Sequence, residues 1–126
     1  MTKTIVPKLI SISSARATDA GKPLTLDDAL LLVDVVIGPE TEVGEAQKGD
    51  LFSFYVTTIE HVSATIEQSG SFICPFSIIV PEYSWESIET SINSILSATE
   101  LQTCHSWIEL ARKISVYGDW EFKDAT

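Results

Sequence analysis

Two cysteines and two histidines are the side chains best suited to nucleophilic chemistry, namely Cys74, Cys104, His61 and His105. Cys104 lies beside a predicted helix start, where the positive helix end can lower the pKa of a thiol. A Cys-dependent enzyme would also need His61 or His105 as its base. Nothing in the spacing brings these residues together, so we favour structural roles for all four.

The same residues are poorly spaced for a metal centre. Zinc sites usually show CxxC or HxxxH spacing, and neither occurs in this sequence. Gly38, Gly44 and Gly49 are not followed by the Lys-Ser/Thr pair of a phosphate-binding loop. Cys74 and Cys104 follow a chain start that does not read as a secretion signal, so we expect no disulfide. We therefore predict no cofactor and no metal.

Carboxylates dominate the charge of the chain. Its 126 residues include 18 Asp plus Glu and 8 Lys plus Arg, which gives a net charge of −10. Between Asp27 and Glu109, fourteen acidic residues accompany a single basic residue, Lys48. Because Lys and Arg supply the affinity for phosphate backbones, this balance argues against direct nucleic-acid binding. It suits a basic partner, although acidic surfaces also serve solubility alone.

Length and hydropathy indicate one globular domain over residues 1–126. A chain of this length buries roughly two thirds of its unfolded surface, and an apolar fraction of 44% is too high for a disordered acidic tail. No apolar run reaches the roughly 18 residues that span a bilayer. We therefore expect a cytoplasmic protein that does not enter membranes.

The apolar pattern predicts four strands. They are residues 4–14, 29–37, 51–58 and 72–80. Pro7 favours an edge position for the first strand, and Pro75 favours a bulge or an edge in the last. Thr25 and the acids after it are typical of a helix start, but β-branched residues alternate towards Ile37. We interpret this stretch as a strand and leave a helical turn before it open.

Three stretches have helical spacing. They are residues 59–68, 84–98 and 106–117. Ser84 is a suitable N-cap, and Ser106 with Glu109 forms a capping box. Tyr117 is assigned to the buried face of the last helix and Gly118 to its C-cap. The order β-β-β-α-β-α-α predicts an α+β fold, with an antiparallel sheet of about four strands and two to three helices packed on one face.

Several short motifs occur in an order typical of one family. They are Ile37-Gly38-Pro39 with Gly44-Glu45; Phe52, Phe54, Val56 and Thr57; Tyr83-x-Trp85 with Ile88; Ser106-Trp107 with Ala111 and Tyr117; and Trp120-Glu121-Phe122. Together they span residues 29–124. In this respect the chain resembles the Immunity protein 8 family of bacterial polymorphic toxin systems.

The resemblance implies a non-enzymatic inhibitor. Such proteins are encoded beside a toxin and bind its toxic domain in the cytoplasm. Many of these toxins are nucleases, whose sites are basic because they hold phosphates, and an acidic inhibitor is steered towards such a site. The implied partner is a basic cognate toxin domain, with a nuclease as the predicted class. Whether the chain also forms a homo-oligomer stays open.

Two acidic clusters are the candidate toxin-binding residues. They are Glu82, Glu86 and Glu89 at the start of the first long helix, and Glu40, Glu42 and Glu45 in the loop at residues 38–50. The equal alternative is that both clusters are merely solvated. Two other functions stay open, a non-catalytic adaptor with a housekeeping partner and a small Cys/His enzyme.

Overall fold

The structure, a computed structural model, describes residues 4–25, 29–40, 49–100 and 102–123. In chain order its elements are β1 (Pro7–Ser13), β2 (Leu31–Pro39), β3 (Asp50–Thr58), α1 (Ile59–Ser69), β4 (Ser77–Val80), α2 (Trp85–Glu100), α3 (Trp107–Ile114) and β5 (Asp119–Trp120). This order confirms the predicted succession of strands and helices. The two-residue strand β5 is an addition to it.

The strands form one mixed sheet in the order β1-β2-β3-β4, with β5 also paired to β3. β1 with β2 and β2 with β3 are antiparallel. β3 and β4 are parallel, with Thr58 opposite Val80, because α1 carries the chain back before β4 begins. The α+β class and the sheet of about four strands are therefore confirmed, but the prediction of a purely antiparallel sheet is wrong for the pair β3 and β4.

Strict alternation in β2 and β3 builds the core. Their inward side chains are fully buried and belong to one cluster with α2 and α3. The buried hydrophobic side chains of these four elements are Leu31, Val33, Val35, Ile37, Phe52, Phe54, Val56, Ile88, Ile92, Leu96, Leu110, Ala111 and Ile114. Period 2 in the strands and periods of 3 and 4 in the helices thus direct one apolar face of each element to the same interior.

The strand predicted at residues 72–80 is wrong in its first part. Regular pairing begins only at Ser77, and Ile73 is 88% exposed. Pro75 has no N–H for a ladder, and Phe76 has a φ of +56°, which a continuous strand does not allow. Within β4 only Val80 is fully buried, so β4 is a short strand at the edge of the described sheet.

The last helix ends earlier than the sequence predicts. α3 stops at Ile114 with Ser115 as its C-cap, and Tyr117 is 40% exposed rather than buried. Gly118 is therefore not the cap. It packs against Phe54, since a Cβ at this position would lie 2.4 Å from the Cζ of that ring. Gly118 is therefore needed because its backbone lies against the ring of Phe54, and it does not serve as a left-handed helix cap.

The predicted helix starts are confirmed. The hydroxyl of Ser84 accepts from Ser87 N at 3.1 Å, and that of Ser106 accepts from Glu109 N at 3.2 Å. The Glu109 carboxylate accepts from His105 N at 3.2 Å, one residue before the usual capping-box donor. The strand predicted at 29–37 is confirmed from Leu31 onward, whereas the acids of the alternative helical turn lie outside the described residues.

Asp50 joins three elements through one oxygen. Its Oδ2 accepts from the indole Nε1 of Trp107 at 2.8 Å and of Trp120 at 2.9 Å. Trp120 is 4% exposed and stacks on Phe52 with ring centroids 6.3 Å apart. The carboxylate at the start of β3 thereby ties α3 and β5 to the sheet.

Candidate functional site

The predicted acidic residues lie on exposed surface wherever the structure describes them. Glu82 is in the turn between β4 and α2, Glu86 is in the first turn of α2, and Glu89 follows three residues later. Glu40 directly follows β2. The other two members of its cluster, Glu42 and Glu45, lie outside the described residues.

Glu40 and Glu82, one described member of each acidic cluster, are at opposite ends of the sheet. Glu40 N donates to Val6 O at 2.8 Å, beside the first residues of β1. Glu82 follows Val80, which pairs with the last residue of β3. Because β2 and β3 are antiparallel, about seven or eight residues of strand separate these ends, roughly 25 Å. The structure therefore does not bring Glu40 and Glu82 into one patch.

A cavity of about 500 Å³ opens at the end of the sheet that carries Glu82. We call it the sheet-end cavity. Its wall includes Lys22, Leu24, Glu60, Pro81, Glu82 and Tyr83. Counting only residues that the structure describes, the cavity therefore combines two carboxylates, one ammonium group and an apolar wall that includes an aromatic ring.

The parallel strands β3 and β4 place the two carboxylates of this cavity. Thr58 and Val80 are neighbours across the strands, and Glu60 and Glu82 each follow two residues later. Thr58 is also the N-cap of α1, because its Oγ1 accepts from the third residue of the helix at 3.2 Å. This cap fixes the first helical turn, to which Glu60 belongs.

The loop between β1 and β2 forms the opposite wall and is held against the start of α2. Gly21 has a φ of +80°, and a Cβ there would lie 2.8 Å from Trp85 N, so a larger residue would push the loop away. The indole of Trp85 donates to Thr18 O at 3.1 Å. The hydroxyl of Tyr83 donates to Ala29 O. These contacts position the loop that carries Lys22 and Leu24.

Among the residues that line the sheet-end cavity, sequence reasoning named only Glu82 as a site residue and missed the others, which include Lys22, Leu24, Glu60 and Tyr83. Tyr83 is adjacent to Glu82, a predicted toxin-binding residue, and Glu60 lies at the start of the helix that the sequence predicts at residues 59–68. The missing signal was the parallel pairing of β3 and β4, because an antiparallel arrangement would have placed the ends of these two strands far apart. Without that pairing, the sequence gives no reason to group Glu60 with Glu82.

Glu89 lies beside a different depression. A groove of about 470 Å³ runs between α2 and β1, and Glu89, Glu100 and Lys8 line it. Glu86, three residues before Glu89, is exposed on the same helix. The cluster predicted from the sequence is therefore an exposed acidic strip from the sheet-end cavity to this groove.

The alternative of Cys–His chemistry is contradicted for the pair Cys104 and His61. Cys104 is 1% exposed, and its carbonyl accepts from Ile5 N at 2.9 Å, at the end of the sheet where β1 begins. His61 is in α1, at the opposite end. Burial raises the pKa of the Cys104 thiol, the charge of Glu109 raises it further, and Lys113 lowers it. The alternative in which the helix start lowers the pKa of this thiol is therefore contradicted, and Cys104 packs in the core, which fits the structural role favoured from the sequence.

We expect iodoacetamide at pH 8 to modify Cys74 before Cys104 in the folded protein. Burial raises the pKa of both thiols, so both are mostly protonated at this pH, but Cys74 is half-buried whereas Cys104 is almost inaccessible. Peptide mass spectrometry over time gives the two rates, and the urea-unfolded chain is the control in which they should converge. Equal rates in the folded protein would contradict this assignment.

No group of three or more His, Cys, Asp and Glu in the described part of the chain is arranged to hold a metal ion. Cys74 and Cys104 are both free thiols. Among the helices of the described ranges, none has the length and apolar character needed to cross a bilayer.

Comparison with protein families gives one clear result. Residues 9–125 match the family described as Immunity protein 8, a range that includes every strand and helix apart from the first two residues of β1. Comparisons with curated proteins and with solved structures gave no significant match. Because the match extends over nearly all of the sequence, this chain belongs to the Immunity protein 8 family.

Proposed function

We propose that this protein binds the toxic domain of a cognate polymorphic toxin in the cytoplasm and neutralises it by direct contact, without catalysis. The observation that carries the proposal is the family match over residues 9–125. The burial of the Cys104 thiol, which raises its pKa, and its separation from His61 support an inhibitor over a Cys/His enzyme.

The proposed partner is a basic domain, with a nuclease as the expected class. A nuclease must hold the phosphates of its substrate, so its active site carries positive potential. A chain with a net charge of −10 is attracted to such a surface and repels the nucleic acid that competes for it. Charge therefore supports both rapid association with the toxin and selectivity against other acidic partners.

The proposed contact surface is the acidic strip of Glu82, Glu86 and Glu89. All three are exposed, and the strip borders the sheet-end cavity, whose apolar wall can anchor a partner. Glu40, Glu42 and Glu45 are proposed as a second acidic region. Because Glu40 is at the opposite end of the sheet from Glu82, this region would add to the attractive field around the docked toxin.

Co-expression tests the proposal directly. The C-terminal domain of the protein encoded immediately upstream is induced in a bacterial host with and without this chain. We expect growth to stop without the chain and to recover with it, while an unrelated protein of similar size and net charge gives no recovery. The Cys104→Ala variant should protect as well as the wild type. Continued growth arrest with wild-type protein present would contradict the proposed function.

A further inference from the structure

We propose that the sheet-end cavity receives an arginine side chain of the toxin domain, which is held between Glu60 and Glu82 and packs against Tyr83. This inference rests on the proposed function and specifies the buried anchor of that contact. Rim charges alone mainly accelerate association, whereas tight inhibition also needs a group that is desolvated in a pocket.

The size and walls of the cavity suit a protruding side chain. Its volume of about 500 Å³ falls within the range of roughly 300–1,000 Å³ found for ligand sites. Leu24 in the wall is 59% exposed, and Pro81 is also exposed. The aliphatic stem of an arginine would cover this apolar surface, which stays in contact with water in the free protein.

The charges in the wall favour a cation. Among the described residues of the wall, the carboxylates of Glu60 and Glu82 outnumber the ammonium group of Lys22, and the two glutamates follow the neighbouring ends of β3 and β4. The N-termini of α1 and α2 lie beside the cavity, and their positive helix dipoles would attract an anion. Glu60 and Glu86 in the first turns of these helices offset this positive potential.

Arginine fits this wall better than lysine. Its planar guanidinium donates hydrogen bonds in several directions, which suits two carboxylates carried by different segments, the first turn of α1 and the turn after β4, and it stacks on aromatic rings. A second copy of this chain is a poor occupant, because two chains of charge −10 repel each other.

The aromatic wall is fixed before the partner arrives. The hydroxyl of Tyr83 is bonded to Ala29 O, whose carbonyl also accepts from Thr57 Oγ1 at 3.1 Å. The loop that carries Leu24 is held against α2 through Gly21 and Trp85. Binding therefore orders few additional groups, which lowers its entropic cost.

The test compares Glu60→Gln with Glu67→Gln. Both replace an exposed carboxylate of α1 by an amide, but only Glu60 lines the cavity. Binding of the upstream-encoded toxin domain is followed by biolayer interferometry. We expect Glu60→Gln to raise the dissociation rate about tenfold, both in 0.1 M and in 0.5 M NaCl, because a desolvated pair is poorly screened. Glu67→Gln should leave the dissociation rate within twofold of wild type.

Leu24→Ser is the second variant, because it removes part of the apolar wall of the sheet-end cavity and leaves the net charge of the protein unchanged. We expect it to raise the dissociation rate several-fold at both salt concentrations. If wild type binds and neutralises the toxin but Glu60→Gln and Leu24→Ser both dissociate at the wild-type rate, the arginine anchor is overturned and the proposed function stands. If wild-type protein neither binds the toxin nor protects cells, the proposed function fails, and the anchor fails with it.

Discussion

Replacement of Asp50 by alanine is expected to lower the free energy of unfolding by about 3 kcal/mol. One carboxylate oxygen accepts from two indole N–H groups, those of Trp107 and Trp120. Hydrogen bonds to charged acceptors contribute about 1.5–3 kcal/mol each, and the lower end applies here because Asp50 and Trp107 are only half-buried. The melting temperature should fall by roughly 10 °C.

Most of this loss of stability in Asp50→Ala comes from the indole N–H of Trp120, which stays buried without an acceptor. Trp120 is 4% exposed and stacked on Phe52, so its N–H cannot reach water without movement of β5. Asp50→Asn keeps an acceptor oxygen without the charge and should lose about half as much. Asp19→Ala, the same change at an exposed loop position, should stay within about 0.5 kcal/mol of wild type.

Urea unfolding monitored by tryptophan fluorescence and, independently, by circular dichroism measures these differences. A loss for Asp50→Ala no greater than that for Asp19→Ala would show that the two hydrogen bonds add nothing to the net stability. The slope of free energy against urea should be unchanged, because the variant is expected to unfold from the same fold.

Local pattern was sufficient to predict the elements of the core. In β3 the alternation of Phe52 and Phe54 with polar neighbours specifies which face is buried, whatever the rest of the chain does. In α2 the spacing of Ile88, Ile92 and Leu96 does the same for a helix. Ser84 also marks the start of its helix through a contact that spans only three residues.

Features that depend on distant parts of the chain could not be predicted in this way. Asp50 accepts hydrogen bonds from Trp107 and Trp120, which follow it by 57 and 70 positions in the sequence. No residue near Asp50 indicates these two indole partners. β5 consists of two residues that pair with β3. This pairing depends on the packing of α3, which places the following residues beside β3. The positive φ at Phe76, which shortens β4, is likewise not signalled by an apolar run.

In the candidate site, too, local features could be predicted from the sequence, whereas those that depend on distant segments could not. The sequence identifies Glu82, Glu86 and Glu89 as solvent-facing, since they fall outside the apolar stripe of α2, and the structure agrees on their exposure. It does not reveal a cavity, because the walls come from the β1–β2 loop, the start of α1 and the turn after β4. Only the sheet topology brings these three segments together.

Charge reversal of the strip, in the triple variant Glu82→Lys, Glu86→Lys and Glu89→Lys, is expected to weaken toxin binding by at least about 100-fold at 50 mM NaCl. The three exposed carboxylates would change from attracting to repelling a basic partner. Because exposed charges act mainly before contact, most of the change should be a slower association. Stopped-flow or biolayer interferometry with the upstream-encoded toxin domain separates the two rates.

Salt should reduce the difference between this variant and wild type. The Debye length shortens from about 10 Å at 0.1 M salt to about 3 Å at 1 M, so steering by exposed carboxylates fades. The association rates of the two proteins should approach each other at 0.5 M NaCl. Lysine in the first turn of α2 opposes the helix dipole and should lower stability by about 1 kcal/mol, which a melting curve measures separately.

A matched triple variant separates the strip from the overall charge. Glu67→Lys, Asp119→Lys and Glu121→Lys alter the net charge equally at exposed positions on α1, on β5 and directly after β5, and none of the three lines the sheet-end cavity or the groove beside Glu89. Because interactions at these distances are largely screened, the control should lose less than about fivefold in affinity. Equal losses in both triples would assign the effect to net charge, and unchanged affinity of the strip variant at low salt would place the toxin on another face of the molecule.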